Sequence, residues 1–285
     1  MKKLVTLALV CVLGLSALGF TACAAEPVKV KVLDEILLTK ESYAFAVKKG
    51  DTKTKESIDA FMTKIEEDGT LDSIINEFFD GTSDFTYTNP SSSKDCLMIA
   101  TSADFPPFEY KAGNAFTGVD IKIAKLYADS LGKTLYVDDI GFDQVILAMG
   151  QDSNNYVLGM AGITKNKERE KSMDFSKEYY ESAQVIIVKE SDTAFDDCKT
   201  AADVEAVLKA QPKKYKVGTQ KGTTGYMYSN GDEGFGYEGF GNLKTVQYDA
   251  GALAVKDLSN GKINAVIIDL QPALMIAKSV NATIE

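Results

Sequence analysis

Few side chains in this 285-residue chain are suited to breaking bonds, because it contains no histidine and no tryptophan. Without histidine there is no Ser-His or Cys-His nucleophile pair, no imidazole acid–base group and no histidine-ligated metal. The remaining candidates are residues that hold charged groups. Arg169 stands in the run Lys165-Asn166-Lys167-Glu168-Arg169-Glu170-Lys171. A guanidinium grips a carboxylate through two parallel N–H···O bonds, and the alternative here is a solvated surface charge. Lys221-Gly222-Thr223-Thr224-Gly225 opens a helical pattern. Free N–H groups and the helix dipole suit an anion there, although Gly-Thr-Thr is also a good cap. Asp269 ends the apolar run Ala265–Ile268 and either meets a cation or caps the helix ahead of Pro272.

These residues need a scaffold of alternating strands and helices. Strands are expected at Tyr43–Val47, Leu97–Thr101, Thr134–Val137, Ala183–Val188, Tyr215–Val217, Leu243–Tyr248 and Ala265–Ile268. Helical periodicity marks Thr52–Asp68, a second helix capped by Thr70, and Gly118–Leu131. Shorter helices are expected at Phe142–Met149, Ala201–Ala210, Gly251–Ser259 and Pro272–Ser279. Strands separated by single helices imply βαβ units and mainly parallel sheets, with ligands at the carboxyl ends of the strands. Asp80–Asp95, rich in Ser, Pro and Gly, reads as a linker. Ser229–Asn242, with five glycines, reads as an exposed loop.

Composition narrows the classes. With 45% apolar and 25% charged residues the chain is ordinary globular protein, long enough for two lobes. A net charge of −10 argues against a nucleic-acid partner. Lys2 and Lys3, the apolar stretch Leu4 to Phe20 and the small residues Thr21 to Ala25 read as an export signal. Phe20-Thr21-Ala22-Cys23 resembles the lipobox of bacterial lipoproteins, with Phe20 where leucine is usual. That resemblance implies a signal peptide over residues 1–22, lipidation of Cys23 and a net charge of −12 once Lys2 and Lys3 are lost. Cys96 and Cys198 then remain; no metal-ligand spacing exists, and two separate buried thiols are expected rather than a disulfide.

The segments at the strand ends carry a constellation. Ser102-Ala103-Asp104-Phe105-Pro106-Pro107-Phe108-Glu109, Gly118-Val119-Asp120-Ile121, Phe142-Asp143, and Ala161-Gly162-Ile163-Thr164 with Arg169 come first. Gln220 to Gly225 and Asn260 to Asp269 follow. Over almost the whole mature chain this resembles the polar-amino-acid family of bacterial extracytoplasmic solute-binding proteins, which deliver substrates to ABC importers. The resemblance implies that Arg169, Thr164 and main-chain groups near Gly162 hold a ligand carboxylate. It also implies that Thr223 and Thr224 close on it from the other lobe. Asp269 then meets the ammonium, and Phe105 and Phe142 sandwich the aliphatic part. Ser102 stands where members holding cationic side chains often carry aspartate, which favours a neutral polar ligand; Asp104 and Glu109 lie close enough to overturn that.

Asp34 to Phe79 resembles the family's C-terminal end yet stands at the front, so the sequence reads as a circular permutant joined through Asp80–Asp95. The expected fold is therefore α/β, a two-lobed periplasmic-binding-protein-like architecture with a ligand cleft. Residues 23–35 form the tether and a hinge-side segment, 36–187 lobe one, and 188–285 lobe two. The expected function is capture of a free amino acid by a monomeric, lipid-anchored extracytoplasmic protein that passes it to ABC permease subunits. No cofactor, metal or catalytic residue is expected. The rivals are a periplasmic dehydratase on the same fold, using Asp269 or Glu109 as acid or base, and a sensor subunit feeding a receptor.

Overall fold

The structure is a computed structural model that describes residues 26–284; the signal segment and Cys23 lie outside the described residues. Two five-stranded sheets organise it. The first runs Met173–Phe175, Ala46–Lys48, Leu158–Gly159, Leu97–Thr101, Leu135–Asp139. The second runs Val30–Val32, Gln184–Lys189, Ala265–Asp269, Lys216–Gln220, Lys244–Tyr248.

The sheets are mixed rather than mainly parallel. Leu97–Thr101 pairs in parallel with Leu135–Asp139 and Leu158–Gly159, whereas Ala46–Lys48 enters antiparallel to both its neighbours. In the second sheet Gln184–Lys189 runs antiparallel to both Val30–Val32 and Ala265–Asp269. A parallel pair needs a crossover helix; these strands enter instead from segments remote in sequence, and nothing fixes their direction to that of the βαβ units.

Two sequence boundaries shift accordingly. Gln184–Lys189 belongs to the second sheet, so the change of lobe falls near Ala183 rather than at 187, and 28–35 adds an edge strand to that sheet. The strand expected over Tyr43–Val47 is broken in two. Glu41–Tyr43 pairs with Tyr180–Ser182 in a two-stranded ribbon between the lobes, while Ala46–Lys48 joins the first sheet. Tyr43 also carries an isolated bridge to Thr164.

Asp80–Asp95 is irregular, as its composition suggests, yet it is strapped to lobe one. The Asn89 side chain donates to Val137 O at 2.7 Å and accepts from Val137 N at 2.8 Å. Tyr87 exchanges backbone bonds with Phe116 at 2.7 Å each. The helices Thr52–Glu67 and Thr70–Phe79 bury Ile58, Met62, Ile65, Leu71, Ile74 and Phe78 in the same core as Ile99, Val119 and Ile123. That apolar face makes them part of the lobe, not an appendage. Cys96 and Cys198 are free thiols; Cys198 is buried, but Cys96 is only half-buried.

Candidate functional site

The carboxyl ends of the strands Leu97–Thr101 and Ala265–Asp269 face each other across a narrow, nearly closed cavity of about 10 Å³. Ser102, Phe105, Phe142, Gly162, Thr164, Arg169, Thr223, Thr224 and Asp269 all line it. Asp104, Glu109, Ala161 and Gln220 complete the wall.

Local structure explains each placement. Arg169 lies on a single 3-10 turn, Arg169–Lys171, started by Asn166, whose side-chain oxygen accepts from the backbone N–H of Glu168 and Arg169. The turn points the guanidinium inward, and Arg169 is only 5% exposed, so the surface-charge alternative fails. Nη1 donates to Thr164 O at 2.8 Å, and Nη2 reaches across the cleft to Gly222 O at 3.0 Å. The Phe142 ring lies 5.5 Å from the guanidinium carbon, within cation–π range.

Two glycines permit these approaches. Gly162 has φ of +53°, and a Cβ there would sit 2.8 Å from the Phe105 ring. Its N–H donates to the Asp120 carboxyl at 3.0 Å. Gly222 has φ of +72°, and a Cβ there would press the Asp143 backbone at 3.2 Å.

On the second lobe Thr223 serves as a helix cap, its oxygen accepting from Tyr226 N at 3.4 Å while its hydroxyl donates to Gln220 O at 2.8 Å. Thr224 donates across the cleft to the Thr164 hydroxyl at 3.2 Å, and Thr164 donates to Glu41 at 2.6 Å. Gln220 Nε2 donates to Asp104 at 3.2 Å, a further bond between the lobes. Asp269 precedes the helix Leu270–Asn281 but makes no capping bond. Its carboxylate instead accepts from the Tyr43 hydroxyl at 2.5 Å and from Ser182 at 3.4 Å.

Residues 97–266 match the family of bacterial extracellular solute-binding proteins, family 3. The chain belongs to that family. It is 38% identical over 108 residues to the arginine-binding extracellular protein ArtP of Bacillus subtilis (strain 168), covering 38% of this chain and 41% of that protein. The ABC transporter arginine-binding protein 1 of Escherichia coli (strain K12) is 29% identical, over 65% of this chain and 67% of its own length. The chain thus spans between two fifths and two thirds of these curated relatives. Among solved structures, an ancestral arginine-binding protein bound to glutamine superposes with a TM-score of 0.53 at 32% identity, covering 65% of this chain and 74% of that one. The ancestral amino acid-binding protein AncCDT-1, a precursor of cyclohexadienyl dehydratase, gives 0.55 at 27% identity, over 74% and 78% of the two chains. The two-lobed α/β fold is that of these binding proteins.

Buried carboxyl groups dominate the electrostatics of the cleft. Burial pushes Asp104 up to about 6, against a bond from Gln220 that favours its ionised form. Asp269 is raised to about 7 by burial and by the neighbouring Glu41 carboxylate. Glu109, fully buried, is raised well above the ordinary range by desolvation, then by Asp120 and Asp104. Neither Glu109 oxygen has a hydrogen-bond donor, and the group it faces is the Asp120 carboxyl. Beside a second buried carboxyl the ionised form of Glu109 is disfavoured further. Asp120 itself is pushed up to about 6 by burial while accepting from Tyr179 at 2.6 Å. Arg169 is lowered by desolvation to about 10 and stays charged at neutral pH.

Sequence reasoning missed Tyr43 and Glu41, since both lie in a segment far from the motif blocks. Glu41 stands in the polar stretch Thr39–Ser42 and Tyr43 only opens the apolar run that follows, so no local signal marks either. Glu41 is 5% exposed and accepts from Gln184 at 3.1 Å as well as from Thr164. Among the described residues no cluster of histidine, cysteine and carboxylates could hold a metal ion.

Proposed function

We propose that this protein captures a free amino acid in the cleft and passes it to the permease subunits of an ABC importer. The observation that carries the reading is one cavity holding a single cation, Arg169, against Asp269 and two further acids. In this reading Arg169 holds the ligand carboxylate, with Thr164 and the Gly162 backbone beside it and Thr223 and Thr224 closing from the second lobe. Asp269 meets the ammonium, and Phe105 and Phe142 flank the aliphatic part. The arginine-binding relatives support an amino acid as the class.

Ser102 by itself favours a neutral polar side chain. Asp104 and Glu109 in the wall favour a cationic one, and we take the cationic side chain as the better fit. Burial disfavours the ionised form of both acids, and a guanidinium or ammonium beside them would draw them into the charged form and pair with it. A thermal-shift screen of the twenty amino acids tests both readings, because a ligand that binds only the folded state raises stability. Arginine or lysine should give the largest shift. A larger shift with glutamine, serine or cysteine would restore the neutral reading, and no shift with any amino acid would end the proposal. Turnover of a prephenate-like or arogenate-like substrate would replace binding by catalysis.

The export-signal pattern and the lipobox-like Phe20–Cys23 support a protein tethered outside the membrane through Cys23. Cys23→Ser should release the protein from membrane fractions; unchanged fractionation would exclude the anchor. Circular permutation is supported by contact between sequence-distant segments: the Asn281 side chain bonds both Val30 N, at 2.9 Å, and Val30 O, at 2.8 Å. A variant with residue 284 joined to residue 28 and the chain opened within 81–94 should fold with an unchanged melting temperature. Failure to fold would count against the permutation.

A further inference from the structure

The glycine-rich segment between the helix Thr224–Asn230 and the strand Lys244–Tyr248 is not the open loop its composition suggests. Asp232 and Tyr237 exchange backbone bonds at 2.8 and 2.9 Å, and Asp232 Oδ1 accepts from Phe235 N at 3.1 Å. Tyr237 and Phe240 pack on Tyr228 with ring centroids 5.3 and 5.7 Å away, fixing the segment to the core of the second lobe. At its base Gly239 lies so close to Asn230 and Gly231 that a Cβ would sit 2.2 Å from the Gly231 nitrogen.

This rigid base projects Phe235 over the first lobe. The Phe235 ring lies 5.4 Å from the Arg169 guanidinium carbon, while Phe142 approaches the same group at 5.5 Å. Beside it Gly234 meets Glu168, where a Cβ would be 2.5 Å from the carboxylate. Glu168 is held by an ion pair with Lys171. Arg169 is thus covered by one ring from each lobe.

We propose that Phe235 is a positioning residue and latch: it holds the Arg169 guanidinium from the second lobe and thereby slows reopening of the cleft. The proposal rests on the reading of Arg169 as the carboxylate grip. A ring facing a desolvated guanidinium contributes a cation–π attraction that vanishes on opening, so its loss appears in dissociation rather than encounter.

Stopped-flow binding of L-arginine and L-glutamine to the whole protein tests this. Phe235→Ala should raise koff about tenfold and leave kon within about twofold, whereas Phe235→Tyr should restore the slow koff. An unchanged koff in Phe235→Ala, or equal loss in the Tyr variant, would overturn the latch. If neither amino acid binds the unaltered protein, the ligand reading fails by itself, and small-angle X-ray scattering then decides the latch. A larger radius of gyration for Phe235→Ala than for Phe235→Tyr supports it, and identical values refute it.

Discussion

The two walls of the cleft are built from different materials. Lobe one supplies Arg169, Asp104, Glu109 and the rings of Phe105 and Phe142, whereas lobe two supplies Gln220, Thr223, Thr224 and one acid, Asp269. The first wall carries most of the charge, and the second carries mainly neutral hydrogen-bonding groups that reach across. Charge decides which ligand is accepted, while short-range bonds formed on closure decide how long it stays. Substitutions on the first wall should therefore change affinity and selectivity, and those on the second mainly koff.

The largest effect should come from Arg169→Ala. Removing Arg169, the only cation lining the cavity among the described residues, leaves a ligand carboxylate buried without a partner, a loss on the order of 3–5 kcal/mol of binding by calorimetry. Circular dichroism should show the fold intact. Near-normal affinity would erase the contrast between the walls.

Glu109→Gln should come next. It removes the charge that a cationic side chain would draw out of the Glu109–Asp120 pair, so arginine affinity should fall about tenfold to a hundredfold. Glutamine affinity should change little. Equal loss for both ligands would mean that Glu109 shapes the wall rather than selects charge.

Proton linkage sharpens the comparison without any substitution. Asp104 and Asp120 are pushed up to about 6 and Asp269 to about 7, from an ordinary value near 4. Between about pH 4 and 7 the folded chain holds protons that the unfolded chain has released, so these groups' contribution to stability falls as pH rises. Asp51 and Asp174 shift the other way, held low chiefly by hydrogen bonds from Thr54 and Lys49, and lose their contribution only as pH falls through their own lowered range. The melting temperature should therefore decline from pH 5 to pH 7.5. Arginine binding should release protons, measurable as a buffer-dependent calorimetric enthalpy. A melting temperature that rises over this range would place the cleft carboxyls in water.

Thr224→Ala should have the smallest effect. It loses one bond, 3.2 Å to the Thr164 hydroxyl, worth about 1 kcal/mol and about fivefold in koff. A matching change in kon would show that the second wall also guides encounter.

How far the sequence could be read depended on how local the signal was. The helices Thr52–Glu67 and Thr70–Phe79 were legible because their apolar spacing and the stop at Gly69 lie within one segment. All nine residues singled out by motif lie on the cavity wall, most of them at or beyond the carboxyl end of a sheet strand, where an open α/β sheet exposes its loops. Strand direction was not legible. Whether Gln184–Lys189 runs parallel or antiparallel is set by neighbours up to 159 residues away, and its apolar run reads the same either way. The fate of Ser229–Asn242 was hidden for a related reason. Five glycines announce backbone freedom, but the aromatic anchoring that removes it comes from Tyr228 and the second core.

By itself the sequence determined the absence of histidine chemistry, the alternation of strands and helices, and the order of the motif blocks, because residue type and local periodicity act within a few turns of chain. Only the tertiary structure decided charge at the site. Arg169 reads as one more charge in a polar run until Asn166 turns it inward and two phenylalanine rings cover it. Asp269 reads as a helix cap until the Tyr43 hydroxyl, 226 positions away, takes its carboxylate. Glu109 and Asp120 are ordinary acids on paper, and both are pushed toward their protonated forms because the fold buries them. Desolvation and long-range pairing are properties of packed space, and a linear pattern does not carry them.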